Sequence, residues 1–141
     1  MSTLSNSSLL VREVMLEPEA FPVVGEKALL KEALESMGDS GLGVVCIIDR
    51  HGHLLGIITD GDVRRKLLRV QKPFSAFFVD DALAHANKKP TSITLDSTLI
   101  EGINHMEQKQ IWDLPVVDHQ GMLVGLLHLH PAIQKLLGLK Q

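Results

Sequence analysis

The chain has 141 residues and a formal net charge of −3, and 45% of its residues are hydrophobic while 22% are charged. These values are typical of a globular protein and give no general attraction to nucleic acid or acidic membranes. The sequence has neither a membrane-length apolar run nor a signal-peptide pattern, so we expect a cytoplasmic protein without nucleic-acid or membrane partners. Its length fits one domain or two half-domains.

The first half of the chain begins with a polar N-terminus and then alternates apolar runs with turn residues. Residues 1–8 are mostly Ser, Thr and Asn, and we expect a disordered tail there. A short strand is predicted near Pro22–Val24, and apolar residues at helical spacing predict an amphipathic helix over Leu29–Met37. The continuous apolar run Val44–Ile48 predicts a strand covered on both faces, with Cys46, the only cysteine, as a buried thiol.

Turn residues then lead into a second strand, a second helix and an apolar connection. The strand is predicted over Leu54–Thr59 and pairs with the preceding one as a hairpin. The helix is predicted from about Asp62 to Val70, with Val63 and Leu67 facing inward. Three phenylalanines predict that the connection packs against the body of the protein; they are Phe74, Phe77 and Phe78.

The second half of the chain repeats the first. With an offset of 69 residues, Phe21–Lys72 matches Pro90–Gln141 without a gap, and each copy contains an Asp-x-x-Gly-x-Leu-x-Gly hairpin. Each copy reads strand, helix, strand, strand, helix, which predicts a mixed α/β (α+β) fold with pseudo-twofold symmetry. We divide the chain into repeat 1, residues 9–72, and a connecting segment with repeat 2, residues 73–141, which together form one module with two related clefts.

Three residues of the second copy carry local predictions. Thr98, with Glu101 three residues later, has the spacing of a helix capping box. Pro115 is suited to the end or edge of the strand predicted over Leu114–Val117. Trp112 precedes that strand, and we expect it to pack in the core or in an interface rather than stack on a base.

The two copies differ most where the hairpin leads into the following helix. The first copy reads Thr59-Asp60-Gly61-Asp62-Val63-Arg64-Arg65, whereas the second reads His128-Leu129-His130-Pro131-Ala132-Ile133-Gln134. A helix N-terminus favours an anion, and the Thr59 hydroxyl and the two arginines suit a phosphate or carboxylate. The Asp62 carboxylate suits a pair of ribose hydroxyls, so the first copy predicts a nucleotide site. In isolation, the same Thr-x-x-Asp pattern would more often be a simple helix cap.

These features together resemble a tandem pair of cystathionine-β-synthase (CBS) domains, a Bateman module. The resemblance rests on the duplicated unit, its hairpins, Val11-Arg12-Glu13-Val14-Met15 and Gly56-Ile57-Ile58-Thr59-Asp60-Gly61-Asp62, and it covers about residues 9–139. Within that superfamily, Gly41-Leu42-Gly43 and Gly125-Leu126-Leu127-His128-Leu129-His130 are similar to the C-terminal CBS pair of bacterial arabinose-5-phosphate isomerases. CBS pairs fused to sugar-nucleotide transferases share the Thr-Asp-Gly-Asp stretch.

The resemblance implies a regulatory module that has no catalytic residues and no cofactor. In the family, the Ser/Thr-x-x-Asp motif lines a cleft between the repeats, with the hydroxyl near phosphate and the carboxylate on ribose; Thr59 and Asp62 match it. The second copy has His128 and Pro131 instead, which implies one equipped and one degenerate cleft. The predicted binding residues are Thr59, Gly61, Asp62, Arg64, Arg65 and His128.

The resemblance leaves ligand and function open among a few alternatives. The expected ligand is AMP or ATP, or else CMP or a CMP-sugar, because the isomerases serve a pathway to a CMP-activated sugar of lipopolysaccharide. The leading function is a homodimeric sensor that regulates a fused or associated sugar-phosphate isomerase. The alternatives are a fragment of an arabinose-5-phosphate isomerase that lacks the catalytic domain, and a structural dimerisation module with empty clefts. We expect an isomerase domain to precede residue 1 or a transferase to follow residue 141.

Neither of two possible metal patterns is complete. His128 and His130 are predicted to share one face of a strand, but no third ligand has suitable spacing. Asp60 and Asp62 provide too few oxygens for Mg²⁺. We therefore predict no metal site and interpret the two histidines as cleft or interface residues.

Overall fold

The computed structural model describes residues 8–69 and 73–138, in which six strands and four α-helices are found. The strands are β1 (Val23–Gly25), β2 (Val44–Ile48), β3 (Leu54–Thr59), β4 (Ile93–Thr94), β5 (Asp113–Val117) and β6 (Leu123–His128). The helices are α1 (Leu30–Ser40), α2 (Asp60–Arg69), α3 (Leu99–Lys109) and α4 (Leu129–Leu136). The predicted mixed α/β fold is confirmed. The predicted tail, except for Ser8, lies outside the described residues, and so does Val70.

The chain divides into two compact units. The first unit is Glu19–Pro90, and the second joins the segment up to Pro18 to the segment from Thr91 onward. In each unit the first strand pairs in parallel with the second, and the second pairs antiparallel with the third. The units therefore repeat one architecture, but their boundaries differ from those of the two sequence repeats.

That difference arises because each unit includes a segment that lies outside the ungapped sequence repeat. We call it the lead-in segment; it comprises residues 81–87 in the first unit and residues 10–16 in the second. In the second unit Leu16 and Leu126 exchange two backbone hydrogen bonds of 2.8 and 3.0 Å, and in the first unit Asn87 and Ile57 exchange two of 2.9 and 3.1 Å. Isolated bridges likewise join Leu10 to Thr98 and Leu29 to Asp81. The two lead-in segments thus correspond at an offset of 71 residues, two more than the rest of the repeat.

Each unit has its own hydrophobic core, built from its helices, its strands and its lead-in segment. The buried core of the first unit consists of Leu30, Ala33, Met37, Val45, Ile47, Ile58, Phe77 and Ala82. The buried core of the second unit consists of Val11, Ile93, Leu99, Met106, Leu114, Val116, Leu127 and Ala132. Val63 and Leu67 face inward as predicted. The buried Phe77 confirms that the connection packs against the first unit, whereas the side chain of Phe74 lies outside the described residues.

Pro115 lies in the middle of β5 rather than at a strand end, so the prediction for this residue was wrong. Its counterpart in β2, Cys46, is fully buried and donates its N–H to the Pro22 carbonyl over 3.0 Å. Proline has no N–H, so this bond cannot form in the second unit, and β4 pairs with β5 only from Val116 onward. The second sheet tolerates proline because Pro115 pairs with Leu126 of β6 but has no partner in the short strand β4.

Candidate functional site

Thr59 and Asp62 form a reciprocal pair at the N-terminus of α2. The Asp62 N–H donates to Thr59 Oγ1 over 3.2 Å, and the Thr59 N–H donates to Asp62 Oδ2 over 3.1 Å. This capping box pairs N–H groups that the first helical turn would otherwise leave without a partner. It explains why α2 begins at Asp60, two residues before the predicted start. The motif is therefore a helix cap, and its carboxylate and hydroxyl are held in a fixed arrangement.

Arg65 binds the same carboxylate from one turn along the helix. Its Nη2 donates to Asp62 Oδ1 over 2.7 Å, and the side chains of Arg65 and Asp62 are 60% and 31% exposed. Gly61 leaves room for this guanidinium, since a Cβ at that position would lie 3.1 Å from Arg65 Nη1. The structure thus brings Thr59, Gly61, Asp62 and Arg65 together, and Arg64 follows on the same helix with an exposed side chain.

Gly43 and Asp60 join the start of β2 to the start of α2. The Asp60 N–H donates to the Gly43 carbonyl over 3.0 Å, and a Cβ at Gly43 would lie 2.6 Å from Asp60 Oδ2. Only a glycine leaves the Asp60 carboxylate where it is. The exposed Asp60 side chain lines a cavity of about 320 Å³ together with Leu34, Met37, Gly38, Gly41 and Leu42.

A second cavity, of about 20 Å³ and thus with room for one water molecule, borders Asp62. Its lining includes Asp62 and Lys66 from α2, Leu34 from α1, and Phe77, Phe78 and His85 from the connection. Small-molecule sites are typically pockets of about 300–1,000 Å³. Of the two spaces in the first unit, the one beside Asp60 reaches that size and the one beside Asp62 does not.

The step from a strand into the following helix, which we call the junction, joins β3 to α2 in the first unit and β6 to α4 in the second. The junction of the second unit is built differently. His128 and Asp113 occupy the positions that Thr59 and Val44 hold in the first unit, and His128 Nδ1 lies 2.6 Å from Asp113 Oδ1. The side chains are only 28% and 12% exposed. Burial raises the pKa of the Asp113 carboxyl, and the hydrogen bond and charge of His128 oppose that shift in part.

Neither a hydroxyl nor a carboxylate caps α4. His128 occupies the N-cap without a side-chain bond to the helix, and Pro131 stands where the first unit has Asp62. Proline suits the first turn of a helix because its missing N–H has no helical acceptor there. His130 belongs to α4, so the prediction that it shares a strand face with His128 was wrong. In residues 8–69 and 73–138, no three His, Cys, Asp or Glu side chains are arranged to hold a metal ion.

Trp112 is 72% exposed, so the prediction of core packing was wrong, while packing in an interface stays a prediction. Its position corresponds to Gly43, and its carbonyl accepts the Leu129 N–H over 2.9 Å, as the Gly43 carbonyl accepts that of Asp60. The indole therefore points outward without disturbing the backbone bond that both junctions share.

Sequence reasoning missed two Asp–His pairs that have no Asp–His counterpart at the equivalent positions of the other unit. Asp113 with His128 takes the place of Val44 with Thr59, and the aspartate was visible in the 69-residue alignment. Asp80 and His85, whose Oδ2 and Nε2 lie 2.7 Å apart, take the place of Leu9 and Val14. This second pair had no sequence signal, because the lead-in segments correspond only at the offset of 71 residues.

The family of the chain follows from a direct comparison. A family model described as CBS domain matches residues 11–69 and 79–130. The chain therefore belongs to the CBS-domain family and is a pair of CBS domains, as the resemblance predicted. Within the part of the chain that the structure describes, no helix has the length and hydropathy of a membrane span.

Relatives with more specific descriptions include sugar-phosphate isomerases. The chain is 33% identical over 126 residues to the arabinose 5-phosphate isomerase KdsD of Pseudomonas aeruginosa, covering 89% of this chain and 37% of that protein. It is 32% identical over 128 residues to an uncharacterised protein of Helicobacter pylori strain J99, covering 89% of this chain and 36% of that protein. The chain thus spans just over a third of the length of these relatives.

Solved structures share the fold at lower identity. One is CBSX2 in complex with AMP, with a TM-score of 0.80 and 22% identity over 92% of this chain and 97% of that chain. Another is a CBS domain-containing protein of unknown function from Bacillus anthracis, with a TM-score of 0.82 and 18% identity over 95% of this chain and 96% of that chain. At these identities the likeness establishes the fold of a CBS pair.

Proposed function

We propose that this CBS pair is a regulatory module that binds a nucleotide or nucleotide-sugar at the start of α2. The observation that carries the proposal is the fixed arrangement of Thr59, Asp62 and Arg65, which offers a hydroxyl, a carboxylate and a guanidinium at one helix N-terminus. A carboxylate accepts two hydrogen bonds from a sugar diol, while the guanidinium and the helix N-terminus favour a phosphate. The cavity beside Asp60, lined in part by Leu34, Met37 and Leu42, offers room for a base.

The ligand is expected to be AMP or ATP, or CMP or a CMP-sugar, and no cofactor is required. The structure of the related CBSX2 with AMP supports an adenine nucleotide. The likeness to arabinose 5-phosphate isomerases supports a cytidine ligand, because the pathway of those enzymes leads to a CMP-activated sugar of lipopolysaccharide. We place Thr59, Gly61, Asp62, Arg64 and Arg65 at this site. His128 belongs to the second unit, and its predicted part in binding stays a prediction.

The regulated enzyme is proposed to be an arabinose-5-phosphate isomerase of the cytoplasm, in the same chain or in an associated one. The 33% identity to KdsD over nearly the whole of this chain supports that assignment. The module has no catalytic role in the proposal, because its equipped junction carries binding groups and a helix cap. On this view the isomerisation belongs to the part of such relatives that this chain does not cover.

A structural role as a dimerisation module is the second candidate, and one observation favours it. Leu68 and Leu137 are equivalent residues of the two repeats, and their side chains are 83% and 63% exposed. An interface with a second copy would remove these apolar side chains from water, which is favourable. A homodimer is compatible with nucleotide binding, so a purely structural role requires that neither junction binds a nucleotide.

Calorimetric titration with AMP, ATP, CMP and a CMP-sugar tests the binding proposal. We expect one of them to saturate near one molecule per chain, and Asp62→Ala to weaken that binding ten- to a hundredfold, or roughly 1.5–3 kcal/mol, because a hydrogen-bonding charge is lost. Pro131→Ala is the matched control and leaves the affinity unchanged. Binding that survives Asp62→Ala intact would place the ligand elsewhere, and no binding by any compound would favour the structural module.

The regulatory part of the proposal needs the full-length parent protein. Arabinose 5-phosphate isomerisation is measured with and without the saturating nucleotide, in the wild type and in Asp62→Ala. We expect the nucleotide to change the rate of the wild type and not that of the variant. A rate that is the same in all four measurements would contradict regulation through this site while leaving nucleotide binding intact.

A further inference from the structure

Both oxygens of the Asp62 carboxylate and the hydroxyl oxygen of Thr59 already have hydrogen-bond partners within the protein. One oxygen of the Asp62 carboxylate accepts the Thr59 N–H and the other accepts the Arg65 guanidinium, while Thr59 Oγ1 accepts the Asp62 N–H. A sugar diol that approaches Asp62 therefore meets a carboxylate of which Oδ1 is bound to Arg65. Ligand binding at this carboxylate must displace or share that guanidinium.

The two bonds to Asp62 differ in how easily they can be given up. The bond from the Thr59 N–H belongs to the helix cap, so breaking it would leave a backbone donor unpaired. The bond from Arg65 is an ion pair between residues three apart on the helix surface, and the Arg65 side chain is 60% exposed. Exposed pairs of this kind contribute little, because water screens them and the long side chain loses freedom in holding one position. Arg65 is therefore the partner that moves.

A guanidinium released from Asp62 has a positive charge and five N–H donors that need new partners. A ligand that carries only a sugar and a base offers it no anion, so the ion pair is lost without replacement. A ligand that carries a phosphate as well offers a bidentate acceptor of matching geometry close to the diol. The exchange of one anionic partner for another is then nearly balanced, and the Asp62 carboxylate becomes available to the diol.

We propose that Arg65 is a specificity-determining latch, which holds Asp62 in the empty site and transfers to the anionic group of the ligand on binding. This inference rests on the proposed nucleotide site and adds to it a selection rule: ligands with both a sugar diol and an anionic group bind, and neutral nucleosides are disfavoured. The second repeat has no such latch, because Gln134 and Pro131 stand where the first has Arg65 and Asp62.

The latch predicts opposite effects of one substitution on two kinds of ligand. Arg65→Gln removes the guanidinium, so it frees Asp62 but leaves the phosphate without its partner. We expect the affinity for the monophosphate to fall about tenfold or more. We expect the affinity for the matching nucleoside to rise about two- to fivefold, as the loss of a weak exposed ion pair allows. Adenosine with AMP and cytidine with CMP are the two pairs of probes.

Titrations of the wild type, Arg65→Gln and Arg69→Gln with these four compounds test the inference. Arg69 lies in the last turn of α2 with an exposed side chain, so its variant controls for the loss of one positive charge and leaves the selectivity unchanged. A fall in both affinities, or no change in either, overturns the latch while the nucleotide site stands. If the wild type binds none of the monophosphates, the site and the latch fall together.

Discussion

The junctions that follow β3 and β6 have the same backbone and different chemistry. In both, the first N–H of the helix donates to the carbonyl of the residue just before β2 or β5, from Asp60 to Gly43 over 3.0 Å and from Leu129 to Trp112 over 2.9 Å. In the first unit, Asp62 forms part of the helix cap and its carboxylate is partly exposed. In the second, the side chains of His128 and Asp113 are hydrogen-bonded to each other.

The difference shows which parts of the duplicated unit hold the fold and which are free to change. The strand register and the buried apolar residues are preserved in both copies, because a shift of one residue would turn every side chain of a strand to the opposite face. The side chains at the junction lie outside the cores and tolerate exchange. Function can therefore be assigned to one junction without assigning it to the other.

The largest expected effect comes from making the first junction resemble the second. The double variant Thr59→His with Asp62→Pro removes the hydroxyl and the carboxylate together, while proline remains tolerated in the first turn of a helix. We expect nucleotide affinity to fall roughly a hundredfold, since a charge-assisted hydrogen bond alone accounts for most of that loss. Calorimetry measures the affinity, and far-ultraviolet circular dichroism checks that the helices persist. His128→Ala with Pro131→Ala is the control in the other unit, and equal losses in both variants would contradict the comparison.

Two equivalent glycines test where the units agree. A Cβ at Gly56 would lie 2.9 Å from the Asn87 carbonyl oxygen, and one at Gly125 would lie 2.9 Å from the Leu16 carbonyl oxygen. Because backbone cannot move aside as a flexible side chain can, we expect Gly56→Ala and Gly125→Ala each to destabilise the protein by about 1–3 kcal/mol.

Urea denaturation measures both losses of stability, with Gly38→Ala as a control. Gly38 lies within α1 with no atom within 4 Å of an added Cβ, so alanine there should stabilise the protein by roughly 0.5–1 kcal/mol. Neutral substitutions at Gly56 and Gly125 would show that the lead-in segments do not pack closely on the strands.

The caps of α1 and α3 differ, and one substitution removes the difference. Thr98 accepts the Glu101 N–H over 3.1 Å, whereas Leu29, its counterpart before α1, has no side-chain oxygen. We expect Thr98→Leu to cost about 1 kcal/mol in the free energy of unfolding, which thermal denaturation measures. Thr98→Ser retains the hydroxyl and should retain most of the stability. Equal losses in both variants would mean that the methyl group, and not the cap, contributes.

The smallest expected effect is a pH dependence confined to the second junction. Burial raises the pKa of Asp113, against the partial opposition of His128, so its folded-state pKa lies above the ordinary value of 3.8. Such a group contributes stability that is fully present below the unfolded pKa and is lost as the pH rises through the folded-state pKa. Asp113→Asn keeps an acceptor for His128 and should remove this decline.

Urea denaturation from about pH 3.5 upward compares the wild type, Asp113→Asn and the control Asp39→Asn, whose carboxylate is exposed on α1. The expected result is a shallower fall of stability with rising pH in Asp113→Asn alone. Identical slopes for Asp113→Asn and the wild type would show that the buried carboxyl does not titrate abnormally.

The sequence was sufficient for features that depend on local pattern. The strand and helix order, the capping box of Thr98 and the inward faces of Val63 and Leu67 all follow from spacing within a few residues. The position of Thr59 and Asp62 at a strand-to-helix step also followed, because the repeat fixed where β3 ends.

Two of the features that sequence reasoning missed depend on contacts between distant residues. Asp113 meets His128 only through the hairpin register, 15 residues apart. Asn87 meets Ile57 through a lead-in segment whose sequence does not resemble its counterpart at Leu16. The ion pair of Asp62 with Arg65 is a local feature that was missed: Arg65, three residues on, shares a helix face with Asp62, whereas Arg64, two residues on, does not.

We propose that the junction after β3 binds the nucleotide and that the junction after β6 does not. A crystal structure with the nucleotide that binds most tightly tests it most directly. We predict both ribose hydroxyls within hydrogen-bonding distance of the Asp62 carboxylate, and no nucleotide with its ribose at His128 or Pro131. A nucleotide bound only through the second junction, with Asp62 still paired to Arg65, would contradict the account.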